Sequence, residues 1–434
     1  MTVKAIHGDL FTMVDDPALV GAEQSYINIL NGTLVVEDGH IIAIGKRADI
    51  EPTLAANVDV IDHSGALITP GFIDTHIHFP QIDMIASYGE QLLDWLENYT
   101  FPAEALYEDT AHAAEAADFF VRELLRNGTT SALVYGSVHA QSVDALFEAA
   151  FKRGMRIVAG KALMDRNVPE QVRDTPESGD KDSRALADRW HGKGRLGYAV
   201  TPRFAPACSD EQLTRAGQML KDYDGLLMHT HMSENVAEIK WVKELYPHAK
   251  DYLDVYDRFG LLTSTSVFAH CIHLHGEEFQ RLSEADAAIA YCPTSNLFLG
   301  SGLFNLTEAE KYGVKLGIGT DIGAGTSFSM LETMGEAYKV GQLRGQKLDA
   351  FKSFYLATLG GAKALNMADK VGTLEVGKEA DFLVYDKAGT PLLERRLKHC
   401  KTIEETLFVL SILGDDRAIG ETWIAGERMH GRST

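Results

Sequence analysis

An apolar run ending in two histidines one residue apart constrains this chain more than any other stretch: Pro70-Gly71-Phe72-Ile73-Asp74-Thr75-His76-Ile77-His78. Successive side chains of a β-strand point to opposite faces, so His76 and His78 face the same way. Two imidazoles converging at a strand end are a ready pair of metal ligands. Alone, the pattern is short enough to be two unrelated histidines. The residues downstream decide between these readings.

Leu67–His78 is the first of eight apolar or β-branched runs. The others are Thr129–Gly136, Arg156–Leu163, Leu196–Phe204, Gly225–Met232, Thr265–Cys271, Ala287–Pro293 and Lys315–Asp321. Amphipathic helical patterns lie between most of them, as in Asp109–Asn127, Ser142–Arg153, Asp210–Tyr223, Glu234–Tyr246 and Glu277–Ala285. Eight β/α units in series predict an α/β fold, a closed parallel TIM-like (β/α)8 barrel. A doubly wound open sheet is the alternative, but no glycine-rich dinucleotide loop supports it.

The flanks read differently. Ala5–Thr12, Tyr26–Glu37 and His40–Gly45 look like short strands, with turns such as Asn31-Gly32 and Asp38-Gly39. Ala380–Tyr385 and Glu421–Ala425 look like strands again. The expected domains are a small composite β-sandwich from residues 1–68 plus 372–434 and a barrel from 69–371. Two insertions after strands, Phe79–Ala103 and Asp165–Arg195, fall where barrel loops shape a pocket.

The 434 residues carry a formal net charge of −21, which argues against nucleic acid and anionic membranes as partners. None of the four cysteines forms a C-x-x-C pair, and scattered thiols suit a reducing cytoplasm. The N-terminus lacks the apolar core of a signal peptide, and no apolar run is long enough to span a bilayer. A soluble cytoplasmic protein is expected.

The polar residues then fall into a pattern. His76 and His78 close the first strand, Arg203 and Phe204 the fourth, His231 the fifth, His270 the sixth and Asp321 the eighth, with Glu234 just after His231. In a barrel those ends meet on one face. Histidines with one carboxylate suit a zinc-like ion that keeps a position open for water, and a metal lowers the pKa of such water towards ~7. Glu234 is placed to carry the proton. His229 shares the strand period of His231, so either can be the ligand, His231 being nearer the strand end. Asp321 and Glu234 have a plainer reading as helix caps, and Arg203 as a salt-bridge partner. Cys292 reads as core: the Pro-Cys-x-x-Cys ligand set of cytidine-type deaminases needs a second cysteine, and Pro293 follows rather than precedes.

These residues resemble the amidohydrolase superfamily: P-G-F-I-D-T-H-I-H, a later strand-end His, Ala269-His270-Cys271, Gly319-Thr320-Asp321 and the tail Gly372 to Asp381. Narrower stretches resemble the guanine deaminases, the bacterial ones most. These are His78-Phe79-Pro80-Gln81, Leu92 to Leu96, Tyr99 to Glu104, Thr201 to Phe204, His231 to Asn235 and Cys292 to Leu297. The resemblance implies His76, His78, His231 and Asp321 as ligands of one Zn2+, with Fe2+ accepted by the same set. It implies Glu234 as proton shuttle and His270 and Asp321 as groups acting on the attacking water. Gln81 and Arg203 would bind the purine edge, Phe204 its face, and Trp95 would line the pocket. A binuclear relative's lysine is absent at the end of strand four, which favours one metal. The implied reaction is hydrolysis of guanine to xanthine and ammonia by a homodimer. Alternatives are a deaminase of an oxidised purine, a pterin or a triazine, or a non-catalytic binding protein.

Overall fold

The computed structural model describes residues 3–432. Its centre is a parallel barrel of eight strands: β1 (Phe72–His78), β2 (Thr129–Tyr135), β3 (Arg156–Gly160), β4 (Gly197–Pro202), β5 (Leu227–Met232), β6 (Ser266–His270), β7 (Ala288–Tyr291) and β8 (Lys315–Ile318). Neighbours pair in parallel register from β1 through β8. A two-residue strand, Ala162–Leu163, extends the edge of β3 and pairs with Thr201 and Pro202.

No ladder joins β8 to β1. The seam is instead laced just beyond β8: the Asp321 N–H donates to the His76 carbonyl at 2.9 Å, and the His78 N–H donates to the Ile322 carbonyl at 2.8 Å. The Asp74 carboxyl adds to it, accepting from the Thr320 hydroxyl at 2.5 Å and from the Thr320 and His76 amides, each at 3.1 Å. A Cβ at Gly319 would sit 2.9 Å from the His76 carbonyl oxygen, so only glycine permits this approach. The seam and the metal-ligand pattern are therefore built from the same residues.

The crossover helices follow from capping and periodicity. Asp109 accepts from the amides of Ala111 and His112, starting helix Thr110–Arg126. Its buried residues Ala113, Ala116, Ala117, Phe120, Val121 and Leu124 follow the i, i+3, i+4 stripe that seats a helix on a barrel. Each large one is worth about 1.5–3 kcal/mol in apolar burial. The Asp165–Arg195 insertion contains the crossover helix Pro176–Trp190, entered through a Thr175–Ser178 capping box. Its charge-rich sequence hides a narrow buried stripe of Gly179, Ser183, Leu186, Ala187 and Trp190.

The chain ends together form one seven-stranded sheet, in the order Glu427–Gly431, Ile419–Ile424, Phe382–Tyr385, Asp59–Pro70, Lys4–Met13, Tyr26–Glu37 and His40–Lys46. The run Leu67–His78 is thus divided between two sheets at Gly71. A Cβ there would lie 2.2 Å from the Thr130 hydroxyl. Asn31-Gly32 is a left-handed kink inside one strand, opposite the irregularity between Gly8 and Leu10, whereas Asp38-Gly39 is a tight two-residue turn. Helix Ile403–Leu413 does not join the sheet; it packs on helices Met330–Arg344 and Ala350–Ala357 of the barrel. No helix among the described residues is long and apolar enough to cross a membrane.

Candidate active site

The C-terminal ends of the strands open into a narrow cleft. Gln81, Arg203, Phe204, His231, Glu234, His270, Asp321 and His78 line it. His76 lies directly beneath, fully buried. Residues Leu92, Trp95 and Leu96 of the Phe79–Ala103 insertion close over it, while no residue of 165–195 reaches it.

Three ring nitrogens and one carboxylate oxygen converge. His76 Nε2 is 3.1 Å from Asp321 Oδ1, His78 Nε2 is 3.3 Å from the same oxygen, and His78 Nε2 is 3.1 Å from His231 Nε2. His231 Nδ1 lies 2.6 Å from the Arg203 carbonyl, which can only accept, so Nδ1 holds the proton and Nε2 presents a lone pair. His76 Nε2 is fully buried, and its contact with Asp321 Oδ1 is not aligned as a hydrogen bond. A tetrahedral ion with bonds of ~2.0–2.1 Å has ligand edges of ~3.3 Å, so these three separations suit a zinc-sized cation; ligand atoms of His76, His231 and His270 also lie within 4.8 Å of one another.

Electrostatics agrees. Burial, with the neighbouring imidazoles, lowers His76 and holds His229 and His231 well below the usual histidine range. Burial takes His78 down to about 4. Burial thus favours the neutral imidazole, the form that ligates, at all four. Burial pushes the Asp321 carboxyl up, but His76, His78 and His270 more than offset this and hold it well below its ordinary value. His229 sits deeper than His231, with Nε2 2.6 Å from His76 Nδ1, where it orients the His76 ring.

Glu234 faces this group. Its Oε2 is 3.4 Å from His270 Nε2, and its Oε1 accepts from the Ser301 hydroxyl at 3.4 Å. Burial, and then the charge of Asp321, pushes its carboxyl up to about 8. It is not the helix cap: Asn235 caps Val236–Leu245, and Glu238 closes the capping box by accepting from the Glu234 and Asn235 amides. Nor does Asp321 cap a helix, since the next one begins at Met330. His270 Nδ1 is 2.8 Å from Asn296 Oδ1, and His270 Nε2 is 3.7 Å from Asp321 Oδ2. Ser233, His270, Cys271 and Asp321 all have positive φ, between 51° and 70°, so backbone strain is concentrated at these strand ends.

The opposite wall presents Gln81 and Arg203 with the Phe204 ring. The salt-bridge reading of Arg203 also holds: its partner is Glu104, at 2.6 Å inside this wall. Trp95 lines the cleft, and its buried Nε1 has no partner among the described residues. Cys292 lies in the apolar layer within the barrel, yet its sulfur comes within 4.8 Å of ligand atoms of His76 and Asp321.

Five residues at the site carry no assignment from sequence. Glu104 and Asn296 fall inside stretches that carry the resemblance but have no motif of their own. Ser301 has no signal. Asp74 reads only as part of the strand. Tyr135 stacks on His78 with ring centres 4.8 Å apart, and its hydroxyl reaches the Pro202 carbonyl at 2.7 Å and the His229 carbonyl at 2.9 Å.

Residues 67–429 match the Amidohydrolase family. The chain is 49% identical to a guanine deaminase of Escherichia coli, covering 100% of this chain and 99% of that one. It is 39% identical to a guanine deaminase of Mus musculus, over 83% of this chain and 82% of that one. Among solved structures, E. coli guanine deaminase superposes with a TM-score of 0.97, covering 99% of this chain and 100% of that one. A guanine deaminase from C. acetobutylicum with bound guanine in its active site, 29% identical, superposes at 0.89 over 99% of this chain and 100% of that one. A triazine hydrolase at 21% identity shares the fold at 0.83, over 99% of this chain and 95% of that one. With a matched family region that spans the barrel and the C-terminal part of the sheet built from the chain ends, and a cluster of histidines with Asp321 at the strand ends, the chain belongs to the amidohydrolase family.

Proposed function

We propose that this protein is a metal-dependent guanine deaminase, converting guanine and water to xanthine and ammonia. One observation carries the reading: a cluster of buried histidines with one carboxylate and the hydrogen-bond donors Gln81 and Arg203 line the same cleft. The likeness to guanine deaminases along the whole chain supports the substrate.

His76, His78, His231 and Asp321 hold one metal ion, zinc by the preference of an N3O donor set, though iron suits the same donors. When bound, the metal supplies a Lewis acid that makes water ionisable near neutral pH. Gln81 and Arg203 hydrogen-bond the purine edge that carries O6, which leaves C2 towards Glu234. Phe204 packs on the ring face. Glu234 takes a proton from the attacking water and delivers it to N3, then carries the second proton to the departing amino group. The C2–N bond breaks and ammonia leaves. Burial and Asp321 push this carboxyl up to about 8 in the metal-free fold; a cation held beside it would favour the ionised form that accepts the proton, while burial favours its later donation. His270, held by Asn296, keeps its Nε2 aimed at the water. Arg203 stabilises charge moving onto O6. Leu92, Trp95 and Leu96 exclude bulk water.

The unpaired cysteines suit a cytoplasmic enzyme, and the family resemblance implies a homodimer, which the solution mass measured by light scattering checks. The reading is tested by ammonia release from the metal-loaded protein with guanine, adenine, a pterin and an aminotriazine. Guanine turning over well ahead of the others is expected; preference for another heterocycle would replace the assignment.

A further inference from the structure

Glu104 lies behind the donor wall without lining the cleft, and its carboxylate is fully buried. It belongs to helix Phe101–Ala105, which follows the covering segment Leu92–Thr100. Oε1 accepts from Gln81 Nε2 at 2.9 Å, and Oε2 accepts from Arg203 Nη1 at 2.6 Å. The two residues come from different places: Gln81 from the turn after β1, Arg203 from the end of β4. Glu104 is the atom-level link between them.

The link fixes more than position. Gln81 Oε1 accepts from the Gly323 amide at 3.1 Å, so both ends of its amide are engaged and its nitrogen cannot exchange places with its oxygen. The Arg203 guanidinium lies over the Phe101 ring, with Cζ 5.4 Å from the ring centre. Phe101 and Glu104, three residues apart, thus grip it from one helix face. A guanidinium has no acceptor, and the Gln81 oxygen is turned to the Gly323 amide while its second amide N–H is left without a protein partner. The Gln81 and Arg203 side chains thus have N–H groups left for a ligand.

We propose that Glu104 is a positioning residue that sets the specificity of this site: by pinning Gln81 and Arg203 as two donors, it makes the wall read the acceptors O6 and N7 of a 6-oxopurine and refuse a purine without O6. The proposal rests on the assignment of guanine as substrate. A carboxylate is required because it alone offers two acceptor oxygens and no donor. With Glu104→Gln, one of the two partners meets an N–H and is released.

The test is binding of two ligands that have no 2-amino group to lose. Hypoxanthine keeps O6; unsubstituted purine lacks it. In Glu104→Gln, the inhibition constant of hypoxanthine is expected to rise about tenfold or more, while that of purine changes less than about threefold. For guanine itself, KM should rise more than kcat falls. General loosening of the fold would raise both inhibition constants together, and that result, or no change in either, overturns the proposal. Glu104→Asp provides the second arm should Glu104→Gln fail to fold. It keeps the charge opposite Arg203 but withdraws the oxygens by one methylene, and the same loss of discrimination is expected; an unchanged ratio overturns the proposal. A wild-type enzyme that does not deaminate guanine overturns both this inference and the function it rests on. Guanine turnover with unchanged discrimination in the variants overturns this inference alone.

Discussion

Leu227 and His231 stand on the same face of β5, four residues apart, yet belong to two different environments. At the lower level, Leu227 packs with Leu133, Val158, Ala199, Val267 and Ala288 in a dry apolar layer inside the barrel. At the upper level, the same strands end in His229, His231, His270 and Glu234, all buried, with positive φ at Ser233, His270 and Cys271. The lower layer obeys the ordinary rule that interiors are apolar and unstrained. The upper layer breaks it with buried titratable groups and left-handed backbone, each of which costs stability. One barrel therefore separates holding the fold from doing chemistry along the length of each strand.

That separation gives expected outcomes of decreasing size. Removing the metal with a chelator should abolish guanine turnover, and adding zinc back should restore it, with the far-ultraviolet dichroism of the barrel unchanged throughout. Loss of the barrel signal on chelation would mean that the upper layer also holds the fold. Arg203→Ala should lower kcat/KM for guanine about a hundredfold to a thousandfold, because donors built to pair with a substrate oxygen discriminate strongly. Steady-state kinetics checks this, and unchanged values would remove Arg203 from the recognition wall.

Leu227→Ala should do the reverse: about 2–5 kcal/mol of unfolding free energy lost in denaturant titration, with kcat at 25 °C little changed. A large fall in kcat for a properly folded variant would join the two layers. The last effect is confined to the metal-free protein and concerns pH. Burial, then Asp321, raises Glu234 from 4.5 in the unfolded chain to about 8 in the metal-free fold. The native state then binds the extra proton, so this group lowers stability as pH rises from about 4.5 towards 8. Metal-free Glu234→Gln should therefore melt a few degrees above metal-free wild type at pH 9 and level with it at pH 4. Equal melting at both values would contradict the raised carboxyl.

The lower layer and the crossover helices were legible because they follow periodicity: β-branched runs mark all eight strands, and the stripe of Thr110–Arg126 is regular. The helix Pro176–Trp190 was hidden because its charged and small residues dilute the pattern to five buried positions. The split of Leu67–His78 at Gly71 was invisible because both sheets want the same residue types; it is set by a close approach to Thr130. In the upper layer, residues that touch the cleft stand at strand ends and could be read from position. Residues that act through another, such as Glu104 on Arg203 and Gln81, or Asn296 on His270, could not, because a side chain-to-side chain bond across 99 or 26 residues leaves no local signature.

The most direct measurement follows guanine and xanthine by ultraviolet absorbance, with ammonia assayed in parallel, in metal-loaded wild type and Glu234→Gln. The expected result is one xanthine and one ammonia per guanine in wild type, and turnover reduced about a hundredfold to ten-thousandfold in the variant with its metal content and melting intact. Undiminished turnover in the fully metal-loaded variant, or no conversion of guanine by the wild type, would contradict the assignment of this cleft.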